Sequence, residues 1–549
     1  MVEIVADLDA LIRRLEEVEQ AQVALRERVA FAEAEREKAA AEREQANAER
    51  ERYRALYLEM LERCRMLEKG LVGPKSERLA GDESQLTIEM LGMLLSERDH
   101  AAIDELAKGA EQEIKAHTRK KPTGRKPIPE HLPRVEIEIL PEEVKREGLD
   151  AFERIGEDVT EVLERRPASL VVARITKPKF VRKDRDERTG VLMGETPELP
   201  IPRGLAGPGM LADTLVKRWD DHCPLHRLER IYARDGLEIA RSTICQWHGQ
   251  LAPLGAPLVA AMRQDGFESP YLCIDATGVL VQHKEKCRRG HFWVLVVPGR
   301  HVLFEYTREH TGEAVDTVLA GYEGYVVADA HAVYDHLYVD DKVTEVNCWA
   351  HARRYFFKAM SSDPERARAA LSLINALFKV ERSLADKPRQ HKERLRAKHS
   401  APIVERFFSW CDAEWPRLLE ESPIYEGVRY ARNQRKGLTR FLGDGRLPLD
   451  NNISERELRR QAVGRKNWIF LGSDDGGHVN AIFTSLLASC RMVGVEPWAY
   501  LRDLLCLLPR WPKHQILDLA PAYWAATSQR EDVRAKLAAD PYRALTLGF

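Results

Sequence analysis

Cysteine never recurs at the spacing that builds a metal knuckle. The nine cysteines, Cys64, Cys223, Cys245, Cys273, Cys287, Cys348, Cys411, Cys490 and Cys506, are odd in number, scattered, and nowhere spaced as CxxC. This excludes a disulfide framework and a zinc ribbon, and points to a reducing compartment. Long apolar runs are missing as well, so no segment reads as a membrane span. The N-terminus, MVEIVADLDALIRRLEE, is acidic and amphipathic, unlike a secretory signal. A soluble cytoplasmic protein with no membrane association is the expectation. Net charge is close to absent at −2, so bulk charge does not announce a nucleic-acid binder. No GxGxxG occurs, which removes the dinucleotide-binding fingerprint.

What is present is unevenly placed. The chain has 549 residues, 44 % of them hydrophobic, enough for several domains with a sizeable core. Charged residues make up 31 %, and the positive ones cluster. Residues 115–134, KAHTRKKPTGRKPIPEHLPR, hold seven Lys or Arg against one acid, and 429–446 and 456–466 are also basic. Local patches of this kind, not the net value, meet phosphates.

From residue 6 to Gly70 there is no proline or glycine. Leu8, Leu11, Leu15, Val18, Leu25 and Val29 follow the 3-4 spacing of a coiled-coil seam, with polar Gln22 in one slot. A dimerisation helix over 1–70 is predicted; a solvated single helix is the plainer alternative. Residues 71–134 read as a helical segment and basic linker. Residues 135–200, with VEIEIL, SLVVARI and KPKFVRK, predict a small β-containing module. Residues 201–265 read as helical. Within them, ERIYARDGLEIARSTICQWHGQL has the form of a helix-turn-helix whose second helix is capped by Ser242 or Thr243. An ordinary pair of packed helices would look the same.

From 266 the period changes. YLCIDATGVLVQH (271–283), RGHFWVLVVPG (289–299) and RHVLFEYT (300–307) predict three antiparallel strands. A helix at 310–322, a buried strand GYVVADA (324–330), a short helix HAVYDHL and a strand KVTEVNCWA (342–350) follow. The order β-β-β-α-β-α-β is that of a ribonuclease-H-like core. Asp275 lies inside the first strand and Asp329 at the end of the fourth, adjacent strands in such a fold. A buried charged aspartate costs several kcal/mol unless paired, and two facing carboxylates repel without a cation between them. Magnesium fits, since it accepts few carboxylates and leaves positions for phosphate oxygens. For any single aspartate a turn or capping role is commoner. A third acid is expected on the helix of LPLDNNISERELRRQAVGRKNWIF (447–470). Glu455 and Glu457 lie about 200° apart around its axis, so only one can face the site, and spacing alone does not choose.

Several segments resemble the DDE transposases of the insertion sequence 66 family. They are GLVGPKSERL (70–79), GRKPIPEHLPR (124–134), HCPLHRLERIYARDGLEIARSTICQW (222–247), IDAT, NCWAHARRYFF (347–357), LPLDNNISERELR (447–459) and VGRKNWIFLGSDDGG (463–477). They run in family order over about 440 residues, from roughly 68 to 510. The resemblance implies a multidomain α/β protein with the catalytic core split between 266–350 and 446–510. It also implies a helical insertion at 351–445; residues 511–549 remain as a C-terminal tail. It places the catalytic, metal-holding acids at Asp275, Asp329 and Glu455, which selects Glu455 over Glu457. Two Mg²⁺ ions, with Mn²⁺ as a substitute, would serve DNA nicking and strand transfer. The implied partners are double-stranded DNA of the element ends and target, a second copy of the chain, and small accessory proteins.

DNA-contact candidates are Arg125, Lys126, Arg241, Ser242, Thr243, Arg353, Arg354, Arg456, Arg459, Arg460, Arg465 and Lys466. A packed junction or a solvated helix face is the plainer reading for several of them, and Trp468 reads as core. The chain also departs from the family pattern. Asp275-Ala276-Thr277 replaces Asp-Glu-Thr, and Asp329-Ala330-His331 replaces Asp-Gly-Tyr, with Asp335 nearby. The family's zinc module has no cysteine counterpart in 135–195, so zinc is not expected. A structure-specific nuclease or resolvase on the same fold, and a catalytically inactive DNA-binding regulator, are the alternatives.

Overall fold

The computed structural model describes residues 128–546, apart from 131, 167–168, 184–190, 285 and 341. All of these lie in the second of the two compact units, 1–99 and 100–549, into which the chain divides. The expected coiled coil over 1–70, and the linker residues Arg125 and Lys126, lie outside the described residues.

The described chain is mixed α/β with two mixed sheets. The first joins β1 (Arg134–Glu138), β2 (Phe152–Arg166), β3 (Ser169–Arg182) and β4 (Leu192–Met193) in the order β1-β3-β2, with β4 on β3. Residues 511–549, expected as a tail, are folded as far as they are described. Their last helix, Pro541–Thr546, lays Tyr542 and Leu545 on Val162, Ala173 and Ile175 of this sheet. Removing that apolar face from water is what draws the segment back.

Three helices follow: α1 (Pro208–Trp219), α2 (Leu225–Arg234) and α3 (Arg241–Phe267). The connection between α2 and α3 turns at Gly236, whose φ of 80° favours glycine. The expected cap at Ser242 or Thr243 is not used. Ala240 holds the N-cap position without a side-chain bond, and both residues lie in the first turn. Glu229 of α2 accepts the Arg241 N–H instead, at 3.4 Å, so the cap comes from the preceding helix.

The second sheet comprises β5 (Tyr271–His283), β6 (Lys286–Val297), β7 (His301–Thr307), β8 (Gly324–Ala328), β9 (Val343–Asn347) and β10 (Phe470–Leu471). Its order is β7-β6-β5-β8-β9, with β10 also on β5. β5, β6 and β7 are antiparallel, while β8 and β9 run parallel to β5. The segment expected as a short helix after β8 is a 3-10 helix, Ala332–Tyr338. Strand alternation divides the flanks. Leu272, Ile274 and Val326 face one core, which α1, α3 and the C-terminal helices complete. Cys273, Val279 and Val327 face a second core built with the helices of the insertion. Those helices include α4 (Trp349–Ala359), α5 (Pro364–Ser383), α6 (Ala401–Glu414) and α7 (Pro423–Asn433). They supply Phe356, Leu377, Phe407, Phe408 and Val428 to that core. The chain then returns through α8 (Asn452–Trp468), β10 and α9 (Asp474–Val493). Among the described residues, no helix is long and apolar enough to cross a membrane.

Candidate active site

β5 and β8 pair in parallel as Tyr271 with Tyr325, Leu272 with Val326 and Cys273 with Val327. Continuing that register by two residues sets Asp275 beside Asp329, at the roughly 5 Å spacing of neighbouring strands. Asp329 lies one residue beyond β8, which ends at Ala328. Both acids share the side of Cys273 and Val327, so both face the helical insertion.

The edge of β5 is divided. β8 pairs with its first residues and β10 with Leu280 and Val281. Side chains of α8 fill the interval. Fully buried Asn451, at the helix N-cap, donates its amide to the Ile274 carbonyl at 2.8 Å and accepts the Ser454 hydroxyl at 2.8 Å. At the other end, Arg465 donates to the Thr277 hydroxyl at 2.7 Å and to the Gly278 carbonyl. The helix is thereby fastened along the strand that carries Asp275. Glu455 lies four residues after Asn451, on the same face.

Glu457 points elsewhere. It accepts from Arg460 at 2.9 Å, and Arg460 also donates to Asp220 at 2.9 Å. Geometry therefore separates the two glutamates that spacing left open. Glu455 accepts from Arg354 at 3.2 Å, and the His351 Nε2 stands 3.5 Å from the same oxygen. His351 and Arg354 lie three residues apart on α4, the first helix of the insertion. Cys348 before that helix accepts the Asn451 N–H at 3.2 Å, which ties the two helix starts together.

Burial, then repulsion from Asp329 and Glu455, holds the Asp275 carboxyl well above the carboxylate range, although the Ala276 N–H and Arg354 oppose this. Asp329 is raised by burial, with His331 and Arg354 opposing. Glu455 is raised by burial, with Arg354 opposing and Asp450 and Asp329 adding to the rise. Arg354 is thus the cation common to all three acids. Burial and the Arg354 charge push His351 down to about 3, so its imidazole is neutral.

Near these acids, His351 Nδ1, Arg354 Nε and the Tyr430 hydroxyl are buried and meet no partner among the described residues. Natural interiors rarely leave such groups unmet. Together with a donor set of carboxylate oxygens, they fit hard divalent cations and their waters. Among the described residues, no group of three or more His, Cys, Asp or Glu side chains is arranged to hold a metal ion as it stands. Glu455 is turned to Arg354, and Asp275 accepts its neighbour's Ala276 N–H at 2.7 Å.

The other sequence candidates separate by position. Arg241 and Ser242 are exposed and Thr243 is half-buried near the start of α3. Arg353 donates to Asn375 at 3.3 Å. Arg456, Arg459 and Lys466 are exposed on α8, Arg456 lying 3.9 Å from Glu457, while Arg460 and Arg465 are half-buried and donate to Asp220 and Thr277. Asp335 is exposed, unlike the buried acids. His351 is not among the site residues expected from sequence, although it lies in the NCWAHARRYFF segment between Cys348 and Arg353.

A family model described as "Transposase IS66 family" matches residues 203–479. Models described as "Transposase C of IS166 homeodomain" and "IS66 C-terminal element" match 59–137 and 485–522. Three similar proteins come from Sinorhizobium fredii (strain NBRC 101917 / NGR234), each described as uncharacterized. The protein y4hP is 28 % identical, covering 84 % of this chain and 88 % of its own length. For y4qI the identity is 29 %, over 83 % and 87 %, and for y4jD it is 26 %, over 69 % and 77 %.

Proposed function

The chain belongs to the IS66 family of transposases, and from that premise we propose that Asp275, Asp329 and Glu455 cut phosphodiester bonds at insertion-sequence ends and join the freed ends to target DNA. The observation that carries this reading is the pairing register, which brings Asp275 beside Asp329, with Glu455 delivered by the Asn451 clamp. The strand order β5-β6-β7, then β8 and β9 in parallel, supports a ribonuclease-H-like core.

Asp275, Asp329 and Glu455 would hold two Mg²⁺ ions, or Mn²⁺ in their place. Such ions supply an activated oxygen nucleophile and charge neutralisation at the leaving oxygen. The protein's own groups do the rest. Asp275 and Asp329, fixed on adjacent strands, orient the site. Arg354 balances the negative charge of the three acids and holds Glu455 in place. Neutral His351 adds a polar group without adding charge. The apolar core on the insertion side excludes water behind the acids. Exposed Arg456, Arg459 and Lys466 hold the DNA backbone.

The discriminating assay combines the protein, pre-cleaved element ends, a target plasmid and Mg²⁺. Joined product is expected, and Asp275→Asn should abolish it. Cleavage without joining would favour a structure-specific nuclease. Unchanged joining by Asp275→Asn would overturn the assignment.

A further inference from the structure

The turn that ends α8 holds apolar groups in water at a conformational cost. Ile469 has φ 67° and ψ −57°, values of the strained positive-φ γ-turn and an outlier for a β-branched residue. In a regular strand alternate residues share a face. Ile469 would then follow Leu471 inward, leaving Phe470 alone outside. The turn breaks that alternation: Leu471 is buried, while Ile469 is 54 % and Phe470 43 % exposed. Behind them Trp468 packs close over Gly464 and lies 5.5 Å from the Arg218 guanidinium, which anchors the turn. Strain at an exposed pair of this kind points to use.

Several cations lie nearby. Lys466 is exposed on α8, and Arg288 and Arg308 donate to Asp474 just past the turn. Phe470 pairs with Leu280, next to the β5–β6 hairpin tip where Lys284 and Lys286 are exposed. An aromatic centre in a cationic rim is what stacks bases while tracking a phosphate backbone.

We propose that Ile469 and Phe470 form a wedge that receives an unstacked base of the element-end DNA. This rests on the reading that the chain cuts element ends. Phe470 pairs with Leu280, which alternates to the face of β5 opposite Asp275, so the base is received across the strand from the acids.

The test uses the full chain, without divalent metal so that nothing is cut. Duplexes of the element's own terminal repeat carry 2-aminopurine at successive positions. A severalfold rise in fluorescence is expected, confined to one position of the repeat. Phe470→Ala should lose that rise and Phe470→Tyr should keep it, with both still binding the repeat in anisotropy. A flat response at every position with bound wild type would overturn the wedge. A rise unchanged in Phe470→Ala, or wild type that binds the repeat no better than an unrelated duplex, would do the same. If Phe470→Ala melts early, Ile469→Gly, which suits a positive φ, carries the same expectation. Absence of cleavage in Mg²⁺ would count against the catalytic reading alone, since the fluorescence is read without metal.

Discussion

The Asn451 amide donates to the Ile274 carbonyl at 2.8 Å, one residue before Asp275. This bond joins the helix of the third acid to the strand of the first. Asn451→Ala should leave a buried carbonyl unmet, at a cost of about 1–3 kcal/mol. A lower melting temperature is expected, with a larger fractional loss of Mg²⁺-dependent cleavage than of DNA binding. Equal losses of both would mean that Asn451 supports the fold alone.

Arg354 opposes the raised proton affinity of all three acids. Arg354→Gln should slow single-turnover cleavage by about a hundredfold, in line with the removal of one preorganised electrostatic group. Arg354→Lys should recover part of that loss. Full activity in Arg354→Gln would show that the guanidinium has no part in the site.

The three carboxyls bind protons more tightly folded than unfolded. Stability from this source is complete below about pH 4 and is lost as pH rises through the raised values. In chelator, the melting temperature should therefore fall between mildly acidic and alkaline pH. Mg²⁺ should restore it, most strongly at the alkaline end. Asp275→Asn should melt higher than wild type in chelator and gain less from Mg²⁺. A wild-type melt indifferent to Mg²⁺ at every pH would refute the metal assignment.

Glu164 provides a second pH-dependent element, remote in role. It is buried on β2 and accepts the Met210 N–H at 2.7 Å at the start of α1. Burial pushes its carboxyl up to about 8. Its contribution is present below the ordinary carboxylate range and is lost as pH climbs through about 8, with a slope of at most about 1.4 kcal/mol per pH unit. Glu164→Gln should flatten stability between neutral pH and pH 9, read from denaturant midpoints. An unaltered slope would assign the dependence to other groups.

The arginines of α8 should divide by experiment as they divide by position. Arg460→Ala breaks the bonds to Glu457 and Asp220 and should lower the melting temperature. Arg459→Ala should weaken DNA binding with the fold intact and reduce the slope of log affinity against log salt by about 1. An unchanged salt slope in Arg459→Ala would remove it from the DNA path.

Much of this arrangement is legible in the sequence where local patterning dominates. β5 spans 271–283 in both readings, because an apolar run between turns leaves few alternatives. Spacing leaves Glu455 and Glu457 open, because Arg354, which Glu455 meets, and Asp220, to which Arg460 ties Glu457, are distant in sequence. His351 meets Glu455 from 104 positions away, a contact that no local pattern announces. The Ser242 or Thr243 cap failed because a neighbouring helix supplied Glu229. The short C-terminal helices carry too few apolar positions to announce themselves before Val162 and Ile175 give Tyr542 a place to go.

The divided edge of β5 also bears on the order in which the proposed site can be completed. Phe470 and Leu471 close that edge 190 positions after Leu280 and Val281, and Asn451 arrives 177 positions after Ile274. A chain still emerging from the ribosome therefore holds its first two acids long before the segment that completes them. Termination between β9 and α8 leaves a chain with Asp275 and Asp329 but without Glu455 or the strand that seals their sheet. On the proposed assignment, such truncated products cannot cut.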